Sequence, residues 1–398
     1  MDDTSRTQQS ARFLFLVTAL FWSAQYSYTQ FINPELERMG MNAAYMGLVS
    51  GAYGLTQTLL RIPLGITADR LGRQQPFVIL GCLLATLSCA GFLLFYSPAG
   101  FLLSRGLAGA ASAAWVSFTV LYSAYFPHHE GPRRISHLNA ANMMGRLAGF
   151  FLVLFIIPRL GLKSAFTLSL IAGALAFLMS TRLAEAPHAR QGIRLSKMLQ
   201  VAKDPYLLAC SIIGILTQAL AFATYYGFTV NVAKGLGADG KLLTWLNIAL
   251  LVPTLVMNYL VTGRLLKRYT GRQLATAGFL VGALYCALVP LTQNLPQLFA
   301  LQILGGTSST LTFGVLIGQS VRDIPQHLRA VAMGVYQAVY GIGMTLGPIL
   351  MGLMIDAGGL KTAFMAMAIF ALLSAFLAWR MLNISPRQTA SPTQKGTP

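Results

Sequence analysis

The second long apolar run of the chain ends in a short polar segment with a glycine near each end. Its sequence is Gly65-Ile66-Thr67-Ala68-Asp69-Arg70-Leu71-Gly72-Arg73. The eighth apolar run ends in a similar segment about 200 residues later, with the sequence Gly263-Arg264-Leu265-Leu266-Lys267-Arg268-Tyr269-Thr270-Gly271-Arg272. Both segments are basic, and each joins two apolar runs. Their repetition predicts a chain built from two copies of one unit.

Three further pairs of matching positions lie at nearly the same offset. In each pair, the two members occupy corresponding places in the two halves of the chain. The pairs are Arg105 and Gly109 with Gln302 and Gly306, Glu130 and Arg134 with Asp323 and Arg329, and Tyr26 and Thr29 with Tyr226 and Thr229. Self-similarity at a nearly constant offset indicates an internal duplication.

The composition places most of the chain in a membrane. Of its 398 residues, 55% are hydrophobic and 10% are charged, with a mean hydropathy of +0.61. Soluble proteins carry about 25% charged residues, so most soluble enzymes are excluded. Apolar stretches of about 20 residues cross a bilayer as helices, and membrane β-strands would be shorter and would alternate. Twelve such runs occupy residues 13–31, 44–68, 76–96, 101–126, 138–158, 164–183, 206–232, 242–265, 273–292, 296–320, 330–355 and 362–382.

We therefore predict an all-α integral membrane protein with 12 transmembrane helices in two pseudo-symmetric six-helix bundles. The predicted divisions are an N-terminal bundle at 1–183, a cytoplasmic central loop at 184–205, a C-terminal bundle at 206–383 and a disordered cytoplasmic tail at 384–398. The tail is rich in Ser, Thr, Pro and Gln, a composition that does not form a packed core. The first run is full length and lacks a small-residue cleavage site, so it should remain as an anchor.

The charge distribution predicts the orientation. The formal net charge of +18 comes from 29 Lys and Arg against 11 Asp and Glu, which in a soluble protein would suggest nucleic acid as a partner. Cytoplasmic loops of membrane proteins collect Lys and Arg. With both termini inside, 20 of the 29 fall on the cytoplasmic side, six outside and three within runs. We expect a multi-pass protein of the cell membrane, namely a bacterial inner membrane, with cytoplasmic termini and no nucleic-acid partner.

These features together resemble the major facilitator superfamily (MFS), and the resemblance covers nearly the whole chain. The family signature between the second and third helices, G-x-x-x-D-R-x-G-R-[KR], is matched by residues 65–73, with Gln74 in place of the final basic residue. Arg105 followed by Gly109 resembles the second family signature, in the fourth helix. The resemblance implies two six-helix halves that alternate access to a substrate held between them.

The resemblance also implies a gate on the cytoplasmic side. In the family, the signature aspartate latches this side against the eleventh helix when the protein faces outward, which assigns the latch to Asp69. Lys267 stands at the corresponding position of the second copy, so a second latch should be weaker or absent. The competing explanation is ordinary interfacial charge. The predicted gating set is Gly65, Asp69, Arg70, Gly72 and Arg73, with Glu130, Arg134, Asp323 and Arg329 as partners.

Three arginines, Arg61, Arg105 and Arg146, fall within the apolar runs. Arginine at the centre of a membrane helix costs about 2.5–3.5 kcal/mol on insertion scales, so each needs a role. Arg61 lies four residues before Gly65, and we expect it to reach the inner surface as a structural residue. Arg146 shares a helical face with Asn142. Substrate contact and bracing of neighbouring helices both stay open for Arg105 and Arg146.

The helices that line the central cavity in this family carry polar and aromatic stripes at helical spacing in this chain. For any one aromatic residue, core packing is the competing explanation. The predicted substrate-binding set is Trp22, Gln25, Tyr26, Thr29, Arg105, Asn142, Arg146, Gln218, Tyr225, Tyr226, Gln302, Tyr336, Gln337 and Tyr340.

Acidic residues are absent from the middle of every run, and the five histidines fall in the predicted cytoplasmic loops. A proton relay or a site for a lipophilic cation needs such groups within the membrane, whereas guanidinium groups bind carboxylate, phosphate or sulfate. We therefore predict a secondary transporter of a small organic anion or zwitterion, working by alternating access as a monomer, with or without a coupling ion.

Two alternatives remain open. One is a proton-coupled multidrug efflux antiporter, and the other is a lipid flippase or a non-transporting membrane sensor. The four cysteines are scattered within runs and indicate neither a disulfide nor a metal site. The sequence contains no P-loop and no metal-ligand spacing, so we expect no cofactor and no enzyme activity.

Overall fold

The computed structural model describes residues 3–127, 131–186, 200–325 and 328–383. Within these ranges, nine helices are long and apolar enough to cross a membrane. The last of them, Val331–Met381, contains two spans, because Gly359 has a φ of 78° and interrupts the helix. Two further helices, Asp3–Tyr26 and Ala43–Leu71, are more polar than these nine. They bring the number of spans to twelve.

The spans form two groups of six, numbered here in chain order. The first six are α1 (Asp3–Tyr26), α2 (Ala43–Leu71), α3 (Gln75–Leu94), α4 (Pro98–Ala124), α5 (Gly131–Leu160) and α6 (Lys163–Ser180). The second six are α7 (Pro205–Gly235), α8 (Gly240–Arg268), α9 (Gly271–Leu291), α10 (Leu295–Ser320), α11 (residues 329–358) and α12 (residues 360–381). A short helix, Ile32–Arg38, lies between α1 and α2.

Most helix packing occurs within each half. In the first half, α1 packs on α5 and α6, and α3 packs on α4 and α6. In the second half, the α11–α12 segment packs on α7 and α9, and α8 packs on α10. Among the spans, α2 with α11 and α5 with α8 make the main contacts between the halves, and the helix Ile32–Arg38 also contacts α7. The predicted fold of two six-helix bundles is confirmed, and these two pairs flank the place where the bundles meet.

The two repeated polar segments form the turns after α2 and α8. Gly72 ends α2 with a φ of 63°, and its N–H donates to the carbonyl oxygens of Ala68 and Asp69. Glycine reaches this left-handed conformation without strain. In the second half Thr270 caps α9 in a capping box with Gln273. The repeat therefore marks the same turn in both halves, stabilised by different residues.

An even number of spans brings both ends of the described chain to the same side of the molecule. The termini face is the side that holds residues 3 and 383 and the turns at residues 72 and 269–270. The far face is the opposite side, with the helix Ile32–Arg38 and the turns at residues 95–97, 161, 237 and 359.

Candidate substrate site between the two bundles

Arg61, on α2, lies at the centre of a hydrogen-bond network between the bundles. It is 4% exposed, and its Nη1 donates to Gln337 Oε1 at 2.9 Å and to Tyr340 OH at 3.4 Å, both on α11. Its Nη2 donates to the carbonyl oxygen of Ser112, on α4, at 3.4 Å. The prediction that Arg61 reaches the membrane surface is therefore wrong. Because acceptors from both bundles surround it, the guanidinium stays buried.

Arg105, on α4, lies within the first bundle between two tyrosines. Its guanidinium carbon is 4.3 Å from the centre of the Tyr53 ring, and its Nη1 donates to Tyr28 OH at 3.5 Å. Tyr53 OH in turn donates to Ser112 Oγ at 2.9 Å. Since Arg61 binds the carbonyl oxygen of the same serine, Tyr53 and Ser112 connect the two arginines.

Arg146, on α5, stacks on Tyr26 of α1 with its guanidinium carbon 3.9 Å from the ring centre. It lines a cavity of about 10 Å³ together with residues of the second bundle, among them Tyr226 on α7 and Asn247 on α8. A cavity of this volume holds about one water molecule. A substrate can bind beside Arg146 only if the bundles move apart.

The three arginines share two electrostatic properties. The Nε atom of each is buried with no hydrogen-bond partner among the described residues. Over the same ranges, no salt bridge joins any of the three to an aspartate or glutamate. Buried charges in proteins are normally paired. The described residues therefore do not neutralise the positive charge of the three arginines in the region where the bundles meet.

Seven of the other predicted binding residues cluster around Arg61 and Arg146. Each contacts one of these arginines, lines a cavity with it, or contacts one of its direct neighbours. They are Trp22, Gln25, Tyr26, Tyr226, Tyr336, Gln337 and Tyr340. The structure therefore brings together residues from α1, α7 and α11 that are far apart in sequence.

Other members of the predicted set lie elsewhere. Tyr225 hydrogen-bonds Ser308 at 2.7 Å, between its OH and the serine Oγ, and Gln302 Nε2 donates to Tyr285 OH at 3.4 Å. Both pairs lie inside the second bundle. Thr29 Oγ1 donates to the Tyr26 carbonyl oxygen at 2.9 Å, just beyond the end of α1.

Two more predicted residues, Gln218 and Asn142, lie near the contact between the bundles. Gln218 is buried on α7. Asn142 lies on α5 one turn before Arg146, and its Oδ1 is buried without a hydrogen-bond partner in the described chain. An unpaired buried amide oxygen needs a donor from elsewhere.

The contact between α2 and α11 is very close toward the far face. A Cβ atom added to Gly47 would lie 2.2 Å from the Pro348 carbonyl oxygen, and one added to Gly54 would lie 2.7 Å from the Met344 carbonyl carbon. Side chains larger than hydrogen do not fit at such distances. The glycines of α2 therefore allow the two backbones to touch at this end.

Asp356, at the far-face end of α11, caps a helix of the other bundle. Its Oδ1 and Oδ2 accept hydrogen bonds from the backbone N–H groups of Ala43 and Ala44 at 2.9 and 3.0 Å. These N–H groups have no partner within α2, and the carboxylate also meets the positive end of the helix dipole. Asp356 therefore connects the two bundles at the far face, and this contact with the other bundle is one that the sequence does not indicate.

The same two helices separate toward the termini face. In an antiparallel pair that is joined at Arg61 and Gln337, helical spacing makes Gly65 and Gly334 the next facing positions. A Cβ atom added to either glycine meets no atom within 4 Å. The α2–α11 pair is therefore closed from the far face to Arg61 and separated beyond it.

The predicted gating segment lies at this separated end. Asp69 Oδ1 accepts a hydrogen bond from Gln74 Nε2 at 3.2 Å, while Arg70 and Arg73 are exposed. Gln74 and Gln75 also donate their backbone N–H groups to Glu185, at 3.1 and 3.0 Å. This contact ties the turn after α2 to the end of α6.

The predicted gating partners have neighbours of their own. Asp323 forms a salt bridge with Arg322 at 2.9 Å, and the hydrogen bond from Arg322 to Asp323 raises the pKa of this guanidinium. Arg329 Nε donates to the Ile324 carbonyl oxygen at 3.1 Å. Arg134 stacks on Phe126, and Glu130 lies outside the described residues. The latch itself stays a prediction.

His137, the one histidine among the described residues, lies outside the predicted loops. His137 belongs to α5, which begins at Gly131, and its Nδ1 is 2.8 Å from Tyr122 OH on α4. The placement of all five histidines in loops is therefore wrong for His137. The first turns of α5, residues 131–137, are mostly polar, so hydropathy does not count them as part of the span although they are helical.

Comparison with known proteins identifies the family. The Major Facilitator Superfamily model matches this chain at residues 14–232 and 212–397. An uncharacterized MFS-type transporter of Methanocaldococcus jannaschii is 21% identical over 355 residues, which cover 86% of this chain and 90% of that protein. A Bacillus subtilis protein named for niacin/nicotinamide transport, NiaP, is 23% identical over 336 residues, covering 81% of this chain and 80% of that protein.

Two solved structures show the same fold. A bacterial homologue of the human lysosomal transporter Spinster, in an inward-facing and unoccupied conformation, has a TM-score of 0.75 and 14% identity, covering 96% of this chain and 98% of its own. The nucleoside transporter NupG has a TM-score of 0.71 and 15% identity, covering 96% of this chain and 100% of its own. Because the family model matches nearly the whole chain, the protein belongs to the Major Facilitator Superfamily and is a membrane transporter, not an enzyme.

Proposed function

We propose that this secondary transporter carries a small organic anion or zwitterion between its two bundles by alternating access. The observation that carries the proposal is a set of three arginines, the buried Arg61 and Arg105 and the half-buried Arg146, whose buried Nε atoms have no partner in the described chain. A carboxylate, phosphate or sulfate would pair with guanidinium groups through charge-assisted hydrogen bonds. The substrate then supplies the negative charge that the site lacks.

The aromatic neighbours of the arginines also support an anionic or zwitterionic substrate. Tyr53 covers one face of the Arg105 guanidinium, and Tyr26 covers one face of the Arg146 guanidinium. Cation–π contact occupies the face of a guanidinium and leaves the N–H groups at its edge available. Tyr226 and Asn247 of the second bundle line the cavity beside Arg146. A substrate held there would touch both bundles, so its binding would be coupled to their movement.

We assign the termini face to the cytoplasm of a bacterial cell, since 20 of the 29 basic residues fall on that side in the predicted topology. The conformation closed at the far face is then inward-facing. In the opposite conformation α2 and α11 would meet at Gly65 and Gly334. Asp69 would then approach the N-terminal end of α11, where a carboxylate is stabilised by the helix dipole, with Arg70 and Arg73 beside it. We propose that a monomer carries out this cycle.

Flux into proteoliposomes tests the proposal. The wild-type protein should show saturable uptake of at least one compound from a panel of organic carboxylates, phosphates and sulfates, and Arg146→Gln should abolish it. Arg182→Gln is the matched control, because Arg182 is exposed at the termini face. Flux limited to cationic dyes, driven by a pH gradient and unchanged by Arg146→Gln, would contradict the proposal and support drug efflux.

A further inference from the structure

A second and larger cavity opens at the termini face of the first bundle. Its volume is about 570 Å³, which is in the range that holds a small organic molecule. We call it the vestibule. Its walls come from α1, α4 and α5 and include Arg12, Phe15, Tyr122, Phe126, Arg134 and His137. No aspartate or glutamate is among the described residues that line it.

Cationic and aromatic groups are interleaved on the vestibule wall. The Arg134 guanidinium carbon is 3.9 Å from the centre of the Phe126 ring. The His137 ring is 4.7 Å from the Phe15 ring, and its Nδ1 is 2.8 Å from Tyr122 OH. This arrangement repeats the combination of an arginine and an aromatic ring found at Arg105 and Arg146.

Helices α1 and α5 contribute residues both to the vestibule and to the surroundings of Arg146. Phe15 and Tyr26 are eleven residues apart on α1, about three helical turns, so both project from one side of this helix. Phe15 lines the vestibule, and Tyr26 stacks on Arg146. On α5, Arg134 and Arg146 are separated by about 18 Å at 1.5 Å per residue. Arg134 and Arg146 project about 120° apart around α5, so the two cationic and aromatic sites share one side of α1 and lie at different depths along it.

We infer that the vestibule is a second anion subsite on the transport path and that it accepts carboxylates with an aromatic or other apolar body. The link to transport rests on the proposed function. A small inorganic anion would leave the Phe15 and Phe126 walls without apolar contact, whereas a ring of the ligand would bury them. Arg12 and Arg134 provide the charge that attracts the carboxylate. Concentrated positive charge in a cleft raises the local concentration of anions by about tenfold or more.

Cysteine labelling measures this attraction directly. The four native cysteines are buried, so a reporter at Gln8→Cys, on the vestibule wall, should dominate the labelling. We compare its rates with the anionic reagent sulfonatoethyl methanethiosulfonate and the cationic reagent trimethylammonioethyl methanethiosulfonate. Their ratio cancels changes in thiol reactivity. Arg12→Gln/Arg134→Gln should lower the ratio of anionic to cationic rates about tenfold.

The matched control removes two other charges from the same face. Arg182→Gln/Arg264→Gln changes two exposed arginines outside the vestibule and should leave the ratio unchanged. If the Arg12→Gln/Arg134→Gln protein does not fold, Arg12→Gln alone at its exposed position should lower the ratio about threefold. A ratio that is equal in all variants would overturn the inference.

Protection by benzoate tests the chemical class of the ligand. In nanodiscs of phosphatidylcholine, benzoate should slow labelling of Gln8→Cys, and benzamide should not. Protection should persist in Arg146→Gln and disappear in Arg12→Gln/Arg134→Gln. The inference is overturned if benzoate gives no protection, if protection depends on Arg146 alone, or if only added phosphatidylglycerol protects, which would identify a lipid headgroup instead. Failure of the proposed function is separate, because it appears as absent anion flux in proteoliposomes whatever the labelling shows.

Discussion

The two bundles share one helix plan but divide the charge unequally. In the first bundle Arg105 lies between Tyr28 and Tyr53, and one of its nitrogen atoms has no partner in the described chain. Its repeat counterpart, Gln302, is 1% exposed in the second bundle and donates to Tyr285 OH at 3.4 Å. At this pair of positions the first bundle therefore holds a charged side chain with an unpaired nitrogen, whereas the second bundle holds a neutral amide that is hydrogen-bonded within that bundle.

The backbones differ as well. Three spans of the second bundle contain π-helical turns, at Thr224–Phe228, Val261–Leu265 and Thr310–Gly314. Such turns interrupt the regular hydrogen bonding of a helix and often lie at functional sites. The described helices of the first bundle have no π-helical turn. The two bundles thus keep the same topology, but Arg61, Arg105 and Arg146 lie in the first bundle and the π-helical turns lie in the second.

Among the variants that compare the two bundles, the largest effect is expected for Arg61→Met, which removes the charged contact between the bundles. Charge-assisted hydrogen bonds contribute about 1.5–3 kcal/mol each, so saturable anion flux should fall about 10- to 100-fold. Initial rates in proteoliposomes of matched protein density measure the change. Tyr259→Phe is the control, because Tyr259 occupies the repeat counterpart position and is 77% exposed. Equal losses in both variants would contradict the unequal division of charge.

A smaller effect is expected for Arg105→Gln, which gives the first bundle the residue of the second. Loss of one guanidinium should raise the apparent KM for the anion about tenfold. Gln302→Ala should lower thermal stability through loss of the Tyr285 contact and leave KM unchanged. Concentration series of flux with both variants provide the comparison. A KM that rises for Gln302→Ala and not for Arg105→Gln would place the site in the other bundle.

Asp356→Ala should weaken the closure at the far face. Loss of a helix-capping side chain costs about 0.5–2 kcal/mol, so the population with an open far face should rise by about 2- to 30-fold. Spin labels at Ala99→Cys and Gln293→Cys, exposed on different bundles at this face, report the distance between the bundles. Asp239→Ala is the matched control, because Asp239 caps α8 within its own bundle. Distance distributions that respond equally to both variants, or to neither, would exclude a specific role for Asp356.

The smallest effect is expected for Tyr225→Phe, in the interior of the second bundle. The variant loses the hydrogen bond to Ser308 and should lower the free energy of unfolding by about 1 kcal/mol. Flux should stay at the wild-type level, because Tyr225 contacts neither Arg61 nor Arg146 in the structure. Thermal unfolding in detergent and flux assays measure the two quantities. A large loss of flux without loss of stability would bring Tyr225 back into the binding site.

The fold could be predicted from the sequence because the bilayer imposes its own length on every span. Hydropathy marks the part of a helix that lies in lipid and not its ends. Hydropathy therefore predicts the first run from residue 13, although α1 begins at Asp3, and it places His137 in a loop, although α5 begins at Gly131. The repeated segments at Gly65 and Gly263 located the division into halves without any structural information.

The candidate site could be predicted only where helical spacing was sufficient. Helical spacing places Tyr26 and Arg146 beside other polar residues of their own helices. The surroundings of Arg61 depend on Gln337, 276 residues away, and those of Asp356 on Ala44, 312 residues away. Such contacts follow from how α2 meets α11, which no local pattern in either segment determines.

Thermal-shift screening of detergent-purified protein tests most directly whether the substrate completes the charge of this site. The screen pairs each organic acid of a metabolite library with its amide and a related amine, for the wild type, Arg146→Gln and the control Arg182→Gln. We predict that acids or zwitterions stabilise the wild type and Arg182→Gln, that their amides do not, and that Arg146→Gln loses the effect. Stabilisation by amines or amides that persists in Arg146→Gln would contradict an anion site built on the arginines of the first bundle.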